Sequence, residues 1–113
     1  VSLGAVAEEL QRRYPGLLRS SLVEAIRRRL AEAERELREV EAELEKLRRR
    51  YGTDLEEFEK AMDDSLEAHE AWIEWRFLHE AKKSLEEEIG ELRQLLRKAL
   101  GEVPGHSSEA REA

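Results

Sequence analysis

Residues 22–51, LVEAIRRRLAEAERELREVEAELEKLRRRY, place apolar side chains at Val23, Ile26, Leu30, Ala33, Leu37, Val40, Leu44, Leu47 and Tyr51. The spacing alternates three and four, which is a heptad seam held for about four heptads. Between the seam positions stand mostly Glu and Arg, so the segment has one narrow apolar stripe and a charged remainder unsuited to a globular core. Such a helix needs a partner helix.

The chain supplies one. From about residue 65 to Leu100, Ala68, Ala71, Trp75, Leu78, Leu85, Ile89, Leu92, Leu96 and Ala99 keep the same heptad register, interrupted at Lys82. Two such helices joined by about 14 residues are expected to fold back on each other as an antiparallel hairpin, about 45 Å long at about 1.5 Å per residue. The seams match in layers: Leu47 with Ala71, Leu44 with Trp75, Val40 with Leu78, Leu37 near Lys82, Ala33 with Leu85, Leu30 with Ile89, Ile26 with Leu92 and Val23 with Leu96. At the Ala71 and Ala33 layers a small residue faces a large one, as interdigitated packing requires.

Local signals mark the ends. Ser21-Leu22-Val23-Glu24 reads as a capping box opening the first long helix, Arg48, Arg49 and Arg50 complement its negative end, and Gly52 is the expected left-handed residue after it. Thr53-Asp54-Leu55-Glu56 predicts a short helix over residues 54–63 with Leu55, Phe58 and Met62 on one face, and Asp64-Ser65-Leu66-Glu67 opens the second long helix. Gly101 and Pro104 end it. A further amphipathic helix is expected over residues 3–14, with Leu3, Val6 and Leu10 on one side and Pro15-Gly16 as its stop. The expected organisation is therefore a short helix and turn in residues 1–20, the hairpin in 21–101 and a flexible tail in 102–113. The fold class is all-α. Because a two-helix hairpin shields one face only, a homo-oligomer is also expected, most simply a dimer forming a four-helix bundle.

The 113-residue chain has no cysteine, so it holds neither a disulfide nor a thiolate metal site. Asn is absent, Gln is scarce, and Glu and Arg are abundant, a bias found in thermophile proteins. No apolar run approaches the roughly 20 residues that cross a bilayer, and no basic region followed by an apolar core opens the sequence. A cytoplasmic location without membrane contact is expected. Residues 1–51 hold 12 Lys+Arg against 10 Asp+Glu, a balance of +2, whereas residues 52–113 hold 8 against 17, a balance of −9. The acidic second half repels nucleic acid and attracts basic protein surfaces.

No catalytic, cofactor or metal site is expected. His69 and His79 lack a Glu three residues before them, so the di-iron signature is missing, and His69-Glu70-Ala71-Trp72-Ile73 lacks the second His of a zinc-protease helix. His106 stands apart from both. The runs Arg27-Arg28-Arg29 and Arg48-Arg49-Arg50 are interleaved with Glu at ion-pairing spacing, which favours solvated pairs over phosphate contacts. One feature lies off the seam: Trp72, Ile73 and Phe77, with Leu66, form a second apolar patch bordered by Glu67, Glu70, Glu74 and Glu80. Either the short helix covers it through Leu55, Phe58 and Met62, or it is a docking face with an apolar centre and a charged rim.

RRYPGLLRSSLVEAIRRRL, residues 12–30, resembles the helix-turn-helix portion of ribbon-helix-helix antitoxins. In that family a preceding β-strand reads DNA; only Val1, Ser2 and Leu3 stand in its place, so DNA binding through the Arg-rich first half is the weaker implication. Residues 51–96 resemble the C-terminal part of small helical antitoxins of archaea and bacteria. The resemblance is carried by Tyr51-Gly52, Leu55-Glu56-Glu57-Phe58-Glu59 and the Trp72, Trp75 pair ahead of a Leu-rich charged helix. It implies a non-enzymatic module that binds and masks a basic partner protein, such as a small basic toxin, with Trp72, Ile73, Phe77, Glu70 and Glu74 as the partner-binding residues. The rival expectation is a structural coiled-coil scaffold or a prefoldin-like chaperone subunit.

Overall fold

The computed structural model describes residues 1–101; the tail expected at 102–113 lies outside them. Four α-helices follow in order: α1 (Leu3–Arg13), α2 (Leu17–Tyr51), α3 (Leu55–Ala61) and α4 (Leu66–Ala99). The described residues contain no strand, so the all-α expectation is met. The chain divides into two compact units, one of Val1–Ala31 with residues from Gly90 onward, the other of Glu32–Ile89.

The second unit is a helical hairpin in which α4 packs back against α2 with α3 at the connection. Its core is Leu47, Phe58, Ala71 and Trp75, flanked by the partly buried Leu44, Tyr51, Leu55, Met62, Ala68, Trp72 and Leu78. Leu47 and Ala71 thus share one cluster with Leu44 and Trp75, as the matched layers require. Ala33 is fully buried, and Leu85 and Ile89 nearly so. Lys82, the polar break in the seam, keeps its stem half-buried and carries its ammonium out to Glu41 on α2, 3.9 Å away. Arg50 reaches Glu67 at 3.6 Å, a second pair across the same two antiparallel helices.

The turn between α2 and α4 follows from its residues. Gly52 takes φ +69°, and its N–H donates to the Arg48 carbonyl, closing α2. Asp54, rather than Thr53, is the N-cap of α3, its carboxylate accepting from the Glu57 N–H at 2.9 Å. Ser65 caps α4 by accepting from the Ala68 N–H at 3.1 Å.

In the first unit Val23 is buried, while Ile26, Leu30, Leu92, Leu96 and Ala99 are half-buried. Helix α1 starts at Ser2, whose hydroxyl accepts from the Ala5 N–H, and buries no residue fully. α2 begins at Leu17, ahead of Ser21, so the Ser21 capping box does not form. Gly16, at φ +94°, makes the reversal after Pro15, and the Ser20 N–H already donates to the Gly16 carbonyl at 3.0 Å. An N-cap requires extended backbone, and Ser21 is inside the helix by then.

Candidate protein-docking face on α4

Helical geometry decides what α4 shows to the outside. Trp75 lies on its seam face and is 2% exposed. Leu66, Ile73 and Phe77, spaced seven and four apart, fall on one stripe roughly opposite Trp75 at about 100° per residue.

Helix α3 does not cover that stripe. Phe58 packs into the seam side, its ring centroid 5.3 Å from Trp75 and 4.9 Å from Tyr51, while Tyr51 stacks on Trp75 at 5.9 Å. Leu55 and Met62 join the same cluster. The three hydrophobic residues that could have closed the outer patch are therefore spent on the core, and Leu66, Ile73 and Phe77 remain 74%, 60% and 71% exposed.

Trp72 behaves differently from its sequence neighbours. It is half-buried against the core cluster, and the Arg76 guanidinium lies 5.6 Å from its ring centroid while also pairing with Glu59 of α3 at 3.6 Å. Trp72 thus forms the shoulder of the face, and Ile73 with Phe77 its crest. Of the flanking carboxylates, Glu67 is paired with Arg50. Glu70, Glu74 and Glu80 make no ion pair among the described residues. An apolar crest beside uncompensated negative charge is the resulting surface.

The other polar groups of this unit are engaged locally. A shallow cleft of about 230 Å³ is bounded by Glu41, Glu45, Arg48, Asp54, His79 and Lys82 around Leu44, Leu55 and Trp75. Asp54 there caps α3, Glu41 holds Lys82, and Glu45 accepts two hydrogen bonds from Arg48, at 2.7 and 2.9 Å, and one from Arg49 at 3.0 Å. The Arg48 hydrogen bonds hold the Glu45 carboxyl well below its ordinary range, at about 2, which makes it a poor proton acceptor near neutral pH. The side-chain and backbone hydrogen bonds from Ser65 likewise lower Asp63. Among the described residues no helix is long and apolar enough to cross a membrane.

No family model matches this chain, nor does any curated protein or solved structure. The spacing in the sequence located Ile73 and Phe77 off the seam, but the direction taken by α3 left them open.

Proposed function

We propose that this protein is a non-enzymatic binding module that holds a basic partner protein against the outer face of α4, masking it in the manner of an antitoxin. The observation carrying this reading is the exposure of Ile73 and Phe77 beside Glu70 and Glu74, which lack ion pairs among the described residues. Burying an aromatic crest yields the gain in area that anchors an interface, and the acidic flank selects a basic surface and speeds encounter. The stretch that resembles small helical antitoxins, residues 51–96, contains this whole face. The same reading includes homo-oligomerisation and a cytoplasmic setting, in which a small basic companion would be encoded beside this protein.

The test uses a synthetic amphipathic helix of Leu and Lys as the basic probe, with a Leu and Glu helix as its control, followed by tryptophan fluorescence or calorimetry. The basic helix should bind at the crest, so its binding, unlike any binding of the acidic helix, should depend on Phe77. Phe77→Ala should weaken binding by at least about 1 kcal/mol with helical content unchanged. Failure of the basic helix to bind, or binding of it that is unaffected by Phe77→Ala, would remove the docking face and favour a purely structural coiled coil.

A further inference from the structure

We propose that the first unit carries the receptor for that same face, so that a second copy of this chain seats its Ile73–Phe77 crest in the unit's groove and masks it until a partner displaces it. The inference rests on the reading of the crest as a docking surface and names its resting occupant. The groove, about 440 Å³, is lined by Arg19, Val23, Glu24, Arg27 and Leu100, with Gly16 and Ser20. Val23 and Leu100 give it an apolar floor. Arg19 and Arg27 stand over it without an ion pair among the described residues, whereas Glu24 is already paired with Arg28 at 3.1 Å.

Charge decides what fits. The described residues of the first unit hold 9 Lys+Arg against 4 Asp+Glu, a balance of +5; the second unit holds 10 against 20, a balance of −10. Two grooves facing each other would set Arg against Arg, and two crests would set Glu against Glu. Groove on crest brings Arg19 and Arg27 to Glu70 and Glu74 while Phe77 and Ile73 meet Val23 and Leu100. A nucleic acid would satisfy the arginines but offers the apolar floor no aliphatic knob. Among the described residues, the α4 crest sets two large exposed apolar side chains, Ile73 and Phe77, beside two carboxylates without ion pairs, Glu70 and Glu74, whereas Leu95 beside Glu91 offers one of each. Such a contact is heterologous, joining different patches of the two copies.

Sedimentation across the micromolar range tests this with two exposed double variants, Arg19→Glu with Arg27→Glu, and Glu70→Lys with Glu74→Lys. Wild type should associate, each double variant should do so at least about tenfold more weakly, and an equimolar mixture of the two should regain association, because the exchanged charges match again. A monomeric wild type, variants that associate like wild type, or a mixture that stays apart would overturn the proposal. A monomeric wild type that binds phosphatidylserine vesicles through Arg19 and Arg27 would assign the groove to a lipid surface instead. The Leu and Lys helix separates this proposal from the one it rests on. Where wild type is associated, Arg19→Gln with Arg27→Gln should bind that helix more tightly, its crest being free and its groove carrying no new carboxylate. Equal binding would show that no copy covers the crest while leaving the docking face intact. Charge-matched association with no binding of the helix would retain the self-contact and end the partner reading.

Discussion

Trp75 and Phe77 stand two positions apart on α4 and have opposite surroundings, one sealed at 2% exposure and the other open at 71%. Replacing Trp75 by alanine removes the ring on which both Tyr51 and Phe58 rest and should cost about 3–5 kcal/mol of stability. Phe77→Ala should stay within about 0.5 kcal/mol, since it touches little of the folded chain. Urea denaturation of the two variants measures the difference, and similar midpoints would contradict the assignment of faces. A second residue-scale expectation concerns Glu45. Its folded-state carboxyl lies below its ordinary value of 4.5, at about 2, chiefly through the Arg48 hydrogen bonds. Whatever it contributes is therefore complete above about pH 4.5 and is lost as pH falls toward about 2. Following the Glu45 side-chain carbons by NMR through an acid titration should find the midpoint near 2, and Arg48→Ala should return it toward the ordinary range.

At the scale of the element, the helix starts separate caps that look alike in sequence. Ser21 and Ser65 both precede a helical apolar pattern, yet only Ser65 occupies an N-cap, its hydroxyl accepting from Ala68. Ser65→Ala should cost about 1 kcal/mol, and Ser21→Ala, within a helix interior and exposed, should leave stability within about 0.5 kcal/mol. Gly16 is the reason Ser21 loses its role. At φ +94° it takes a conformation that a Cβ penalises, so Gly16→Ala should destabilise the start of α2 by about 1–2 kcal/mol although nothing lies within 4 Å of the added carbon. Thermal melts of these three variants give the ranking, and a costly Ser21→Ala would restore the later helix start.

For the molecule as a whole, stability and recognition draw on different resources. The second unit has an aromatic core, whereas among the described residues of the first Val23 is the one buried apolar residue, and most of the exposed large hydrophobic side chains lie there, including Leu3, Val6, Tyr14 and Leu22. The surface ion pairs along the helices, such as Arg28–Glu24 and Lys46–Glu43, are exposed and add little individually. Charge matters instead between molecules. Both the capture of a basic partner and the proposed self-contact join opposite charges at the surface, so both should weaken as salt rises through the physiological range, where screening acts over about 8 Å. Association or capture that strengthens with salt would point to apolar burial alone. The unfolding midpoint of the second-unit core in the whole chain, read from the fluorescence of Trp72 and Trp75, should respond much less.

The long helices and the seam that joins them are legible in the residues alone. A heptad stripe surrounded by charge has one low-energy way to bury itself, and the seam residues from Val23 to Tyr51 and from Ala68 to Ala99 are accordingly all buried or half-buried. Gly52 and Gly101 likewise announced helix ends, because only left-handed backbone fits there. Tertiary structure decided the remainder. Periodicity assigns Leu55, Phe58 and Met62 to one face of a short helix but does not say which neighbour that face meets. Packing against Tyr51, Leu47 and Trp75 settled it, because there the Phe58 ring meets two further rings, whereas the outer stripe of α4 holds one, Phe77. That choice left Ile73 and Phe77 facing solvent.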